Sequence, residues 1–255
     1  MLLAIDVGNT QTHVGMFRGD ELVDHWRLAT DRQATADTLA TVLANLLGLR
    51  ELGLRDVDAA IVSSVVPALG HEYEHLSDRY LGGALSLVGP QLKIGMPIRM
   101  DNPHEVGADR IVNAVAAYER SGGACIVVDF GTSTNFDVVS PDGEYLGGVL
   151  APGVEISIEA LAARAARLFK VELEPPTQVI GKNTAAALRS GVIYGFAGQV
   201  DAIVGRLREE LGEEATAFAT GGLAGPVVPF CEQVDEVDDL LTLTGLKLIW
   251  ERNRG

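Results

Sequence analysis

The sequence predicts an α/β fold made of two mixed β/α domains facing one another with a cleft between. Strand-length apolar runs alternate with helix-spaced segments along the whole chain. Two of those runs end in an aspartate followed by a glycine-containing turn that carries threonine, and an antiparallel strand then returns. These aspartates, Asp6 and Asp129, lie about half of the 255-residue chain apart, as an ancient duplication would leave them. The soft boundary falls near Ser121-Gly122-Gly123, dividing the chain into 1–120 and 121–255.

In the first half, residues 2–5 form a continuous apolar run of strand length. Residues 13–17 and 21–28 read as further strands, joined at Gly19-Asp20 by a hairpin signal. Residues 35–47 place Leu39, Val42, Leu43, Leu46 and Leu47 at helix spacing. Residues 59–66 read as a buried strand, and 67–80 as an amphipathic helix. Residues 107–120 form a helix with Ile111, Val112, Ala114, Val115 and Tyr118 turned inward. The second half repeats the cycle with strands at 125–128, 135–139 and 145–150, the last two joined by Pro141-Asp142-Gly143. Helices follow at 156–169 and 184–211, then strand candidates at 217–219 and 240–243 and a closing helix at 246–252.

Composition narrows the function. Hydrophobic residues at 47% and charged residues at 22% belong to a packed globular protein and exclude disordered or collagen-like classes. With 20 Lys and Arg against 35 Asp and Glu, the net charge of −15 repels phosphate backbones and argues against nucleic-acid binding. An anionic small molecule remains compatible, because a local nest of backbone N–H groups binds phosphate regardless of net charge. Cys125 and Cys231 have no metal or redox spacing, and the apolar run around Cys125 suggests a buried thiol in a reducing compartment. The start, Met1-Leu2-Leu3-Ala4-Ile5-Asp6, shows no basic leader, and no apolar run approaches a membrane span, so a cytoplasmic location is expected.

Five motifs carry chemistry. In Asp6-Val7-Gly8-Asn9-Thr10 the glycine permits a tight turn with N–H groups pointing into one concavity. Asn9 and Thr10 add side-chain donors, and Asp6 is placed to hold magnesium through water. Asp129-Phe130-Gly131-Thr132-Ser133-Thr134 follows the same logic with three hydroxyls. Either alone is an ordinary Asp-Gly hairpin turn; the pair, each after a buried strand, points to phosphate binding. In Asp101-Asn102-Pro103-His104-Glu105-Val106-Gly107-Ala108-Asp109-Arg110, Asp109 falls in the first turn of a helix. A carboxylate there is equally a helix cap and a general base for a hydroxyl acceptor. Arg110 suits a carboxylate or phosphate through its two-pronged geometry. Ala219-Thr220-Gly221-Gly222 would let a flat adenosine ring lie on the backbone, and the Gly/Pro loop from Gly147 to Gly153 would line a cleft.

The ordered set of these motifs resembles the type III pantothenate kinases, within the superfamily that also holds sugar kinases, Hsp70 and actin. The resemblance covers nearly the whole chain. Its most specific piece is Asn102-Pro103 through Val106-Gly107-Ala108-Asp109-Arg110, with Val112-Asn113 after it. It implies two ribonuclease H-like (actin-like ATPase) domains and ATP-dependent phosphorylation of pantothenate, the first step toward coenzyme A. It also implies that Asp6, Val7, Gly8, Asn9, Thr10, Gln11, Thr12, His13 and Thr132 bind ATP and that Asp109 accepts the proton. Gly107, Ala108, Asp109, Arg110 and Thr184 would contact pantothenate, and Asp129 would hold a monovalent cation, potassium or ammonium. Met100 stands where the family often carries an aromatic residue, so it offers apolar filling without a hydroxyl. Family members are homodimers with the site completed across the interface. Independently, the long helix after Thr184 aligns Gly191, Gly195 and Gly198, which lets a second helix approach, although such a helix can equally be buried core.

Two rivals belong to other classes. His71-Glu72-Tyr73-Glu74-His75 matches a zinc-hydrolase pattern. Against it, a helix that buries Leu69, Tyr73, Leu76 and Tyr80 turns His71, His75 and Asp78 to solvent, and no third ligand is near. A catalytically silent regulatory relative of the same fold would be expected to lose the base or a phosphate loop, yet Asp6, Asp109 and Asp129 are all present. A Walker A loop is absent: Gly181-Lys182 is followed by Asn183, and Pro176 stands where its first glycine belongs.

Overall fold

The computed structural model describes residues 1–81, 84–164 and 172–254. The chain packs as two compact units interleaved in sequence. The first comprises 1–95, 102–116 and 241–255, and the second 96–101 and 117–240, so a single cut at 120/121 does not describe the packing.

In the first unit, β1 (Leu2–Val7) is the central strand of a five-stranded sheet. It pairs antiparallel with β2 (Gln11–Arg18), which pairs with β3 (Glu21–Ala29). On its other side it runs parallel to β4 (Ala59–Ser64), followed by β5 (Ala84–Leu87), giving the order β3-β2-β1-β4-β5. One face of this sheet buries Leu3, Ile5, Val7, Val14, Met16 and Val62 against α1 (Ala36–Gly48) and α2 (Pro67–Tyr80). The opposite face is covered by α7 (Leu241–Arg252), whose Leu243 fills the space above Gly15. A strand buried on both faces must be apolar throughout, which is why residues 2–5 show no alternation.

The second unit repeats this topology. Its sheet order is β10-β9-β6-β7-β8, with β6 (Cys125–Phe130) central. β6 pairs antiparallel with β7 (Ser133–Val139), which pairs with β8 (Tyr145–Pro152). It runs parallel to β9 (Thr216–Thr220), and β9 to the short edge strand β10 (Glu236–Val237). Ile126, Val128, Phe136, Ala217 and Ala219 pack on one face with residues of α4 (Val154–Arg164), α5 (Thr184–Leu211) and the turn-length α6 (Ala224–Val227). The expected duplication is therefore present strand for strand.

Helices 67–80 and 184–211 have the expected bounds. Asn183 caps α5, accepting from Ala186 N at 2.8 Å, and Gly212 ends it in the left-handed conformation. The helix expected at 156–169 is α4, ending at Arg164; residues 165–169 lie outside the described residues. One expectation is corrected: residues 240–243 are not a strand, since 241–243 form the first turn of α7. A four-residue apolar run fits either period, and burial of Leu241, Gly245 and Ile249 one helical turn apart decides for helix. β5 and β10 escaped sequence reading because each is a short edge strand, and β10 is polar in composition.

α3 (Ala108–Ser121) meets α7 within the first unit, where a Cβ on Gly245 would come 2.1 Å from the Val112 carbonyl oxygen. In an open helix Gly→Ala stabilises by about 1 kcal/mol. Here Gly245→Ala is expected to destabilise instead, by about 1–3 kcal/mol through overpacking, read as a lower Tm. An unchanged or raised Tm would show that the two helices are not in contact.

Candidate active site

The first candidate loop follows the end of β1. Asp6 pairs in register with His13 of β2 and Ser63 of β4, so the three side chains share the sheet face that α7 covers. The turn closes through Gly8 N–H donating to the Gln11 carbonyl at 3.0 Å, and a Cβ on Gly8 would lie 2.8 Å from that oxygen. Only glycine fits there. The segment after β3 braces the loop. Thr30 N–H donates to the Thr10 carbonyl at 2.9 Å, and the Thr30 hydroxyl donates to the Gly8 carbonyl at 2.9 Å. With that proton committed, the buried Thr12 hydroxyl is the donor in its 2.9 Å bond to Thr30 Oγ1.

His13 lies beside the loop and accepts at Nε2 from Arg27 Nε. Burial first, then the charges of Arg27 and His25, holds its imidazole down at about 4. At neutral pH the ring is therefore uncharged, and with Nε2 accepting, its proton sits on Nδ1. His13 thus enters the site as a hydrogen-bond donor rather than as a cation.

Asp109 stands in the first turn of α3, with Gly107 and Ala108 before it. The preceding Pro103–Glu105 turn is fixed by Asn102, whose Oδ1 accepts from His104 N and whose Nδ2 donates to Glu105 Oε1 at 2.8 Å. Asp109 Oδ1 accepts from the Arg110 N–H at 2.8 Å and folds back to where a Cβ on Gly107 would be 2.5 Å away. Burial raises its pKa above the ordinary carboxylate range, opposed by the Arg110 N–H and the Arg110 charge. A half-buried carboxylate made more basic by its surroundings suits proton acceptance.

In the second unit Asp129 ends β6 as Asp6 ends β1, paired with Asn135 and Thr220. Two glycine-bearing segments pack on Asp129 and the turn that follows it. Gly221, at φ +95°, passes so close that a Cβ would meet Asp129 Oδ1 at 2.5 Å and Phe130 N at 2.7 Å. Gly131 closes the turn by donating to the Ser133 carbonyl at 3.0 Å. Gly153 packs on the Thr132 carbonyl, where a Cβ would come within 2.2 Å. Gly147 leaves room for the Met100 sulfur, which a Cβ would approach to 2.9 Å. Thr184 is exposed at the first position of α5.

Of the expected site residues, Asp6, Val7, Gly8, Asn9, Thr10, Gln11, Thr12, His13, Gly107, Ala108, Asp109 and Arg110 belong to the first unit. Met100, Asp129, Thr132 and Thr184 belong to the second. Val7 is wholly buried and supports the loop from the core side. Sequence reading missed Thr30, Arg32 and Arg27, whose roles arise from strand pairing across β1-β2-β3; the only available signal was the hairpin at Gly19-Asp20 that brings them back. In the His71–His75 pattern, Glu72 caps α1 by accepting from Ala36 N at 2.7 Å, while His71 pairs with Glu74 at 3.2 Å. Among the described residues no cluster of three or more metal-ligating side chains occurs. Burial raises both thiols to about 12, Cys231 with a further push from Asp201, so neither is a nucleophile at neutral pH.

Comparison with known proteins agrees on one family. A sequence model of the type III pantothenate kinases matches residues 2–206. The chain is 56% identical over 256 residues to a type III pantothenate kinase of Acidothermus cellulolyticus, covering 99% of both chains. It is 51% identical over 253 residues to one from Moorella thermoacetica, covering 99% of this chain and 100% of the relative. In fold it resembles component A of (R)-2-hydroxyglutaryl-CoA dehydratase from Acidaminococcus fermentans, with a TM-score of 0.57 at 15% identity over 98% and 96% of the two chains.

Because the Gly221 turn and the Asp129 carboxylate leave no room for a side chain, Gly221→Ala combines a positive φ with a steric conflict. It is expected to cost about 1–3 kcal/mol of stability in thermal unfolding. A wild-type Tm would mean that the carboxylate is not confined by this turn.

Proposed function

The chain belongs to the type III pantothenate kinase family, and on that premise we propose that it transfers the γ-phosphoryl group of ATP to the primary hydroxyl of pantothenate, with Asp109 as proton acceptor. The observation that carries the mechanism is Asp109 itself: a carboxylate in the first turn of α3, held by the Arg110 N–H and made more basic by burial. Phosphoryl transfer needs little covalent help from the protein, so positioning and charge neutralisation dominate. The turns at 8–11 and 131–133 supply backbone and hydroxyl donors for the phosphates. His13, neutral with its proton on Nδ1, adds a donor without changing charge as pH varies around neutrality. Arg110, with Gly107 and Ala108 before it, takes the pantothenate carboxylate; Met100 and Thr184 are further residues proposed to contact the acceptor. Gly221 and the backbone beyond it supply the adenosine platform.

Two ions complete this reading. The Asp129 carboxylate lies in a cradle that a Cβ on Gly221 would fill, and its oxygen donors suit a hard monovalent cation such as potassium or ammonium. Asp6 at the end of β1 offers an oxygen for magnesium through water. Magnesium, when bound with ATP, neutralises charge on the β- and γ-phosphates. A cytoplasmic location accords with the substrate class, and among the described residues no helix is long and apolar enough to cross a membrane.

We also propose a homodimer formed through α4 and α5. Gly191, Gly195 and Gly198 are exposed, and a Cβ on any of them would meet nothing within 4 Å. Gly191 and Gly195 border an apolar groove of about 310 Å³ lined by Ile158, Leu161, Leu188 and Phe196. The occupant of matching shape is the same face of a second copy.

A coupled ADP-release assay tests the reaction. Turnover is expected to need pantothenate and to rise with potassium or ammonium; ATP consumption indifferent to pantothenate would overturn the substrate assignment. Asp109→Asn is expected to bind ATP normally and to lose turnover by at least ~100-fold. The base acts deprotonated and its pKa is raised, so activity falls as pH drops through a value above the ~4 of an ordinary carboxylate. A variant retaining near-normal turnover would rule out the base. For the dimer, sedimentation of the wild type at twice the chain mass and of Gly195→Lys as a folded monomer is expected; a monomeric wild type would rule out the interface.

A further inference from the structure

Arg32 lies on the surface just beyond β3, where an arginine side chain is ordinarily unconstrained. Its guanidinium is instead locked onto Asn9. Nη2 donates to the Asn9 carbonyl at 3.1 Å and to Asn9 Oδ1 at 3.0 Å, and Nε donates to the same carbonyl at 3.3 Å. One residue therefore fixes both the backbone and the side chain at the tip of the turn after Asp6. The bonds use Nε and Nη2, and Nη1 is not engaged in them.

The electrostatics are equally specific. Arg50, Arg79, Arg99, Arg120, Arg189 and Arg208 each pair with a carboxylate, as expected in a chain of net charge −15. Among the described residues Arg32 has no such partner, a property it shares with Arg27, which bonds to His13, and with Arg206, which bonds to a backbone carbonyl. Its neighbour Asp31 is engaged elsewhere, accepting from Gln33 N at 2.9 Å. An acidic protein thus anchors a cation without a carboxylate partner on the turn that follows Asp6.

We propose that Arg32 is a phosphate-contacting and loop-positioning residue for the nucleotide: one edge of its guanidinium fixes Asn9, and the other takes the terminal phosphates. The proposal rests on reading the 8–11 turn as a phosphate loop. A guanidinium already held by three hydrogen bonds loses little freedom when the anion arrives, and its Nη1 keeps two N–H groups for phosphate oxygens. Lysine would carry the charge without spanning Asn9 O and Oδ1.

The test compares wild type, Arg32→Lys and Arg32→Gln in the pantothenate-dependent ADP-release assay, together with direct titration of trinitrophenyl-ATP and thermal unfolding. Arg32→Gln is expected to weaken nucleotide binding and raise the KM for ATP by about tenfold or more, leaving the KM for pantothenate within about twofold. Arg32→Lys is expected to recover part of the lost affinity but not all of it. The salt dependence of nucleotide binding is expected to be shallower in Arg32→Gln than in the wild type. Wild-type affinity in Arg32→Gln overturns the proposal, as does a loss in which both KM values and the Tm worsen together. A lysine variant no better than glutamine overturns the direct phosphate contact. A wild type without pantothenate-dependent turnover would instead sink the kinase reading, so the two failures are distinguishable.

Discussion

The central strand of each sheet is buried along almost its whole length, and the placement of the candidate site residues follows from that burial. β1 and β6 must be apolar along their length, so polar chemistry can enter only where each strand ends and its chain turns. Asp6 and Asp129 occupy those ends in matching registers, each flanked by an antiparallel partner and a parallel one. Neither carboxylate could move one residue inward without entering the core. A shift of one residue in pairing would also turn it to the opposite face.

The second constraint is steric. Gly8, Gly153 and Gly221 sit where a Cβ would lie within 2.2–2.8 Å of a loop carbonyl, a carboxylate oxygen or a backbone nitrogen. These positions let backbone approach backbone, which closes the turns tightly and holds Asp129 in place. They also resolve the apparent conflict between a net charge of −15 and an anionic substrate. The acidic residues are spread over the surface, while the turns proposed to face phosphate present backbone dipoles, a neutral His13 and placed arginines.

Asp109 shows how one residue satisfies two readings that sequence could not separate. Its Oδ1 accepts from the Arg110 N–H, so it satisfies one of the free N–H groups of the first helical turn from within the helix rather than from the cap position. The same burial that fixes it also raises its basicity, because the charged form loses solvation that one N–H and one nearby cation do not fully restore. The helix-start hydrogen bond and the basicity that the proposed proton acceptor needs are thus consequences of the same placement.

Periodicity and turn residues determined much of this protein without any structure. The hairpins at Gly19-Asp20 and Asp142-Gly143, the bounds of α2 and α5 and the duplicated strand–Asp–Gly cycle all rest on patterns within a few residues of sequence. What only the tertiary structure decided depends on partners far along the chain. Residues 241–243 became helix because α7 packs on β1 and α3; Glu72 became the cap of α1; Thr30 and Arg32 became braces of the loop at 8–11 because β3 returns beside it. A short apolar run, a lone glutamate or an exposed arginine carries no record of its neighbour, and only packing supplies one.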